Sequence, residues 1–216
     1  MPLYTADALI LRTYKLGEAD RIVVFLTRDR GKKRGVAKGA RRPRSRFGAA
    51  LEPMTEARVA YFEKERRELV GLNYAEPVRS PMDAPTFDAL GYIGYFAELL
   101  DEWAQEADAD DRLFRLGASM LDALSAGAPV EPLARYFECW LLRLQGVYPE
   151  ARGTLSDEAM AFLAASRTVT PQQVGAVPIS RAVLTELEQV HRALIAMHLE
   201  KNLKSDRVLR DLRKHN

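Results

Sequence analysis

The sequence predicts an α+β protein, with a small five-stranded β-barrel first and an all-α helical domain after it. Three observations carry that expectation. Five short runs rich in β-branched and aromatic residues, separated by glycine and polar turns, occupy the first 76 positions. Pro77, Pro81 and Pro85 then punctuate the chain. Beyond them, apolar residues recur every three or four positions, the period of an amphipathic helix.

Residues 6–14 and 21–27 read as strands joined by Gly17-Glu18-Ala19-Asp20, and Asp29-Arg30-Gly31 makes the next turn. A third strand is expected over 33–37. Gly39, Pro43 and Gly48 argue against regular structure over 38–48, which reads as a loop. Residues 55–62 alternate Ala57, Val59 and Tyr61 with Glu56, Arg58 and Ala60, a strand with one wet face. A charged turn over 63–68 leads to a fifth strand over 69–75. Five short strands in so few residues fit a closed barrel, because closure removes exposed edges. The domain division expected is therefore 1–76, a proline-rich linker over 77–85, and a helical domain over 86–216.

Helices are expected over 86–106, through Leu90, Ile93, Phe96, Ala97 and Leu100, and over 111–125, through Leu113, Leu116, Met120, Leu121 and Leu124. A third, over 131–145, carries Leu133, Phe137, Trp140, Leu141 and Leu144 and ends at Gly146, a C-capping residue. A short helix over 156–165 opens at an N-capping serine. A long one follows over 180–198, through Val183, Leu187, Val190, Leu194 and Met197, and a short charged one over 206–213.

The bulk numbers are those of a soluble globular chain: 216 residues, 47% hydrophobic and 29% charged. No basic start with a long apolar run opens the sequence, and nowhere do 18 apolar residues run together. The single cysteine, Cys139, has no partner for an internal disulfide. A reduced, cytoplasmic protein away from membranes is the expectation.

Charge is distributed very unevenly. Residues 28–46 hold ten of the 32 basic residues and one acidic residue, Asp29, so this stretch carries +9 while the remainder carries −7. Like charges at this density repel unless water or a polyanion screens them, and a phosphate backbone gains by releasing its own counterions. Arg34, Lys38, Arg41, Arg42, Arg44 and Arg46 are the candidate phosphate contacts. Phe47 follows the basic run directly and is a candidate for stacking on bases or for packing in the core. Tyr61 and Phe62 present the same choice and are expected in the core.

One stretch is specific enough to suggest a family. Glu18-Ala19-Asp20-Arg21-Ile22-Val23-Val24-Phe25-Leu26-Thr27 leads into Gly31-Lys32. Gly35-Val36-Ala37-Lys38-Gly39-Ala40-Arg41-Arg42 then runs to Ser45-Arg46-Phe47 and Leu51-Glu52-Pro53. This resembles RecO, the bacterial DNA repair and recombination mediator family. Weaker similarity extends through Phe137-Glu138, residues 141–146, His198-Leu199 and residues 203–205. The resemblance implies an N-terminal OB-fold, a helical C-terminal domain, and binding to single- and double-stranded DNA. It further implies strand annealing and loading of the RecA recombinase onto strands coated by single-stranded DNA-binding protein. The partners implied are RecR and the acidic tail of that coating protein.

Many members of that family carry a four-cysteine zinc module after the region of Gly146. Here residues 147–153 pass almost directly to Ser156-Asp157-Glu158, with neither the cysteines nor room for them. Cys139 and three scattered histidines do not make a four-ligand site, and His191 and His198, seven residues apart, stand about 10 Å apart along a helix. They are expected as surface or half-buried imidazoles, and no metal or other cofactor is expected. Asp108-Ala109-Asp110-Asp111 reads as a solvated loop and helix cap. Residues 31–35 lack the spacing of a phosphate-cradling Gly-x-x-x-x-Gly-Lys, and Cys139 reads as core filler. Enzyme chemistry is not expected.

The chain therefore reads as a non-enzymatic, sequence-independent DNA-binding mediator whose cations neutralise two strands at once. An RNA-binding module and an adaptor docking an acidic protein surface are the alternatives. For the acidic tail, the expected surface is the helix over 131–146, where Arg135 stands beside Phe137 and Trp140. The other possibility is that both rings are core and Arg135 is a solvated side chain.

Overall fold

The computed structural model describes residues 2–63, 68–83, 86–148, 155–201, 203–205 and 208–209. Its N-terminal part is a closed five-stranded barrel of β1 (Leu3–Leu16), β2 (Asp20–Thr27), β3 (Gly31–Ala37), β4 (Glu56–Phe62) and β5 (Val70–Arg79), with strand order β1-β2-β3-β5-β4. All neighbours pair antiparallel except β3 and β5, which meet in parallel over three residues, 35–37 against 70–72. The alternation that identifies the strands also fills the barrel. Ala8, Ile10, Val23, Phe25, Val59 and Tyr61 point inward and are fully buried.

Two strands run longer than the sequence suggests. β1 starts at Leu3 and continues to Leu16, with a bulge between Ile10 and Arg12. β5 continues through Pro77, which pairs with Ala57, to Arg79. Proline is tolerated there because β3 flanks β5 only at 70–72, so the missing N–H lies where β5 has a single neighbour. Pro81 opens a short 3-10 turn, while Pro85 and residues 64–67 of the expected charged turn lie outside the described residues.

The chain forms two compact units. The first combines Met1–Asp83 with Ile93–Leu121, and so contains most of α1 (Phe87–Trp103) and of α2 (Asp111–Ser125) as well as the barrel. Helices are needed here because the barrel is apolar on its outside too: Leu9, Leu11, Val24 and Leu26 are all buried. Gly117 of α2 lies so close that an added Cβ would stand 2.7 Å from both Leu9 and Leu100. Gly31, at φ +67°, likewise abuts the backbone of Asp108, 2.4 Å from where a Cβ would be. Asp110 caps α2, its carboxylate accepting from the N–H groups of Arg112 and Leu113. The acidic loop is thus a helix start, as its spacing suggested.

A buried carboxylate joins α1 to the barrel. Asp101, 5% exposed, meets Arg12 Nη2 of β1 at 2.6 Å and Lys32 Nζ of β3 at 3.4 Å. Lys32 Nζ also donates to the Asp101 carbonyl oxygen at 2.6 Å.

The second unit holds α3 (Val130–Leu144), α4 (Asp157–Ala165) and α5 (Arg181–Leu199). Leu133, Phe137, Cys139 and Leu141 of α3 are fully buried. Gly146, at φ +68°, ends α3 as expected, with Val147 N–H returning to the Leu142 carbonyl. Ser156 and Ser180 cap α4 and α5. A 3-10 helix, Pro171–Ala176, was not anticipated, although Pro171 after Thr170 and Gln173 bonding back to Thr170 N–H are its local signal. The terminal helix expected over 206–213 lies largely outside the described residues.

Candidate nucleic-acid interface

Folding sorts the ten cations of 28–46 into two groups. Arg28 pairs with Asp111, Arg30 with Asp29, Lys32 with Asp101 and Lys33 with Glu63. Three of these pairs tie β3 and the turn before it to residues elsewhere in the first unit, while Arg30 pairs within its own turn. Arg34, Lys38, Arg41, Arg42, Arg44 and Arg46, the six singled out from sequence, are all exposed, and among the described residues none of them meets a carboxylate.

The loop that carries five of them is a succession of fixed turns. Arg42 N–H bonds to the Gly39 carbonyl, Ser45 N–H to that of Arg42, and Gly48 N–H to that of Ser45. Three bonds fasten it to the β1–β2 turn: Arg41 N–H to the Ala19 carbonyl, Gly39 N–H to the Asp20 carboxylate, and the Arg41 guanidinium to the Gly17 carbonyl. Gly39 and Arg44 take left-handed backbone, φ +72° and +59°, which turns the chain twice within six residues. The cations therefore stand on a shaped surface.

Strand register places Arg34 on the outer face of the barrel. Arg12, Val24 and Arg34 form one cross-strand row, and Tyr14, Ile22 and Val36 form the next. Tyr14 is 41% exposed and was not recognised from sequence, because its strand was expected to end there.

Three expectations are corrected. Phe47 is 2% exposed and belongs to the barrel core with Ala50 and Leu51, because the 3-10 turn Gly48–Leu51 folds back over the barrel and takes the ring inward. It offers no face to a base, although Arg46 sits 5.1 Å from its ring centroid. Arg135 is equally unsuited to an acidic tail, being buried and paired with Glu138 at 2.8 Å and Glu188 at 3.3 Å. His191 is fully buried rather than half-exposed, held between Glu138 at 2.9 Å and the Tyr148 hydroxyl at 3.1 Å. His198, by contrast, is exposed.

Tyr61 is core, and burial pushes its hydroxyl up to about 12; Phe62 is half-buried. Cys139 is core, and burial pushes its thiol up to about 11. Trp140 is half-buried and donates its indole N–H to the Ser166 carbonyl. Among the described residues no group of His, Cys, Asp and Glu converges in a way that could hold a metal ion, and residues 149–154 lie outside them. No described helix is long and apolar enough to cross a membrane.

Residues 1–81 match the family description "Recombination protein O N terminal", and residues 84–153 match "Recombination protein O C terminal". The chain belongs to the RecO family. Among curated RecO-family relatives, the chain is 42% identical over 152 residues to the "DNA repair protein RecO" of Koribacter versatilis, covering 68% of this chain and 61% of that protein. It is 42% identical over 144 residues to that of an Anaeromyxobacter species, 65% of this chain and 56% of the relative. With that of Geobacter metallireducens it shares 39% over 141 residues, 65% and 57% respectively. The chain thus spans about three-fifths of the length of these relatives. The five-stranded closed barrel is consistent with the OB-fold that the RecO resemblance implied.

Proposed function

We propose that the chain binds single- and double-stranded DNA without sequence preference and acts in DNA repair and recombination. The observation that carries this reading is the set of six exposed cations, on a hydrogen-bonded loop and its neighbouring strand, that meet no carboxylate among the described residues. Such a set neutralises phosphates on two strands at once and lowers their mutual repulsion, which is the physical requirement for annealing. Exposed guanidinium and ammonium groups attract phosphate whatever the sequence, so the attraction proposed is to backbone. Loading of RecA onto strands coated by single-stranded DNA-binding protein, with RecR and the coating protein's acidic tail as partners, completes the reading and rests on family membership. With Arg135 buried, the tail would dock elsewhere than on that side chain.

The test is charge reversal of Arg41, Arg42 and Arg44 together, with affinity measured against salt. Each lost phosphate contact should lower the log–log slope by about 0.9 on duplex and about 0.7 on single strands. The wild type should also speed annealing of complementary strands without nucleotide or metal, and the variant should not. An unchanged slope would remove the loop from the interface.

A further inference from the structure

We propose that Tyr14 is a base-stacking residue, and that the outer face of β1–β2–β3 around it takes the unstacked bases of single-stranded DNA. The site presupposes the DNA-binding reading of the basic loop and adds to it a means of telling single strands from duplex.

The placement follows from register. The bulge after Ile10 shifts β1 by one residue, so that Arg12, Tyr14 and Leu16 oppose Val24, Ile22 and Asp20 on the outer face. Further down the barrel that face is covered, with Leu9, Leu11, Val24 and Leu26 all buried. At Tyr14 and Leu16 the cover stops, and these side chains are 41% and 37% exposed. Ile22 and Val36, which complete the row, are half-buried. An apolar row thus crosses three strands, a span of about 10 Å at ordinary strand spacing.

The ring is also held. The Arg12 guanidinium lies 5.0 Å from the Tyr14 ring centroid, and Arg12 is itself fixed by the buried Asp101. A tyrosine on a free surface would lose side-chain freedom on stacking, whereas this one already has a guanidinium packed against its ring. Charge complementarity names the occupant. Arg34 belongs to the adjacent row, and Lys38 continues β3 past Val36 into the basic loop. The Arg41 guanidinium is bonded to Gly17, three residues after Tyr14. A backbone lying along these cations would bring its bases over the apolar row. Bases in a duplex are stacked on one another and present no free face, so the ring would engage only single strands.

Equilibrium binding of the full chain to a thymidine 30-mer and to a duplex of equal length distinguishes the outcomes. Tyr14→Ala should weaken single-strand binding about 5- to 150-fold, the range for loss of one base–aromatic stack, and duplex binding less than twofold. Its single-strand salt slope should match wild type, since no phosphate contact is lost. Tyr14→Phe should bind within twofold of wild type. Equal weakening on both DNAs, unchanged single-strand binding, or loss with Tyr14→Phe equal to that with Tyr14→Ala would each overturn the proposal. Failure of the DNA-binding reading itself has a different signature, namely that the wild type binds neither DNA.

Discussion

Replacing Asp101 by asparagine keeps the side-chain volume and removes the carboxylate shared by Arg12 and Lys32. Breaking a fully buried ion pair from one side costs about 3–5 kcal/mol. Here the loss is smaller, because Arg12 is 40% exposed and can regain water, and Lys32 keeps its bond to the Asp101 carbonyl. The expected cost is therefore about 2–3 kcal/mol, which for a chain of this length lowers Tm by about 4–12 °C. Urea unfolding followed by circular dichroism should show a lower midpoint at an unchanged slope. Arg12→Gln combined with Asp101→Asn should cost less than the two separately, since the second change removes a charge the first has orphaned. A loss below about 0.5 kcal/mol, the ordinary value for an exposed pair, would refute the reasoning.

A chain ended after Arg79 should not yield a stable barrel. Leu9, Leu11, Val24 and Leu26 are buried on the barrel's outside, and at about 1.5–3 kcal/mol each their exposure rivals the whole stability of a domain; a dispersed, cooperative NMR spectrum of this fragment would contradict that. Cys139 should resist thiol reagents at pH 8 until the chain is unfolded, when one equivalent should react. The same thiol predicts a loss of stability in alkali. Below its ordinary value of 9 it is protonated in both states, whereas between 9 and about 11 only the unfolded chain ionises. Stability should then fall across that window, by a loss on the order of 2–3 kcal/mol, and Cys139→Ala should remove this fall.

Where apolar period and turn chemistry agreed, the elements could be read directly: β2 was expected over 21–27 and α2 over 111–125, and they occupy Asp20–Thr27 and Asp111–Ser125. The six cations were legible for the same reason, since hydration makes a charged side chain's exposure a local property. Direction was not legible. Phe47 adjoins exposed Arg46, and only the 3-10 turn after it decides that the ring goes inward. Nor were long-range partners. Arg135 and Glu138 are three apart on α3, but their further partners, Glu188 and His191, lie on α5, some fifty residues away. Pro77 misled in the opposite sense, because proline is a breaker only where a second strand needs its N–H. Tyr14 was hidden by a bulge, which no alternation pattern announces.

The three bonds that fasten residues 39 and 41 to the β1–β2 turn have a kinetic consequence. A slack lysine- and arginine-rich segment would have to be ordered whenever it met a polymer, at about 1–2 kcal/mol of backbone entropy for each residue stilled. In this barrel that ordering is completed during folding, before any encounter. Association should therefore be governed by diffusion and electrostatic steering, and should slow sharply as salt is added. Asp20→Ala cuts one fastening and also removes one negative charge beside the loop, so attraction at a distance should rise; an on-rate that falls in spite of that gain would report the lost order.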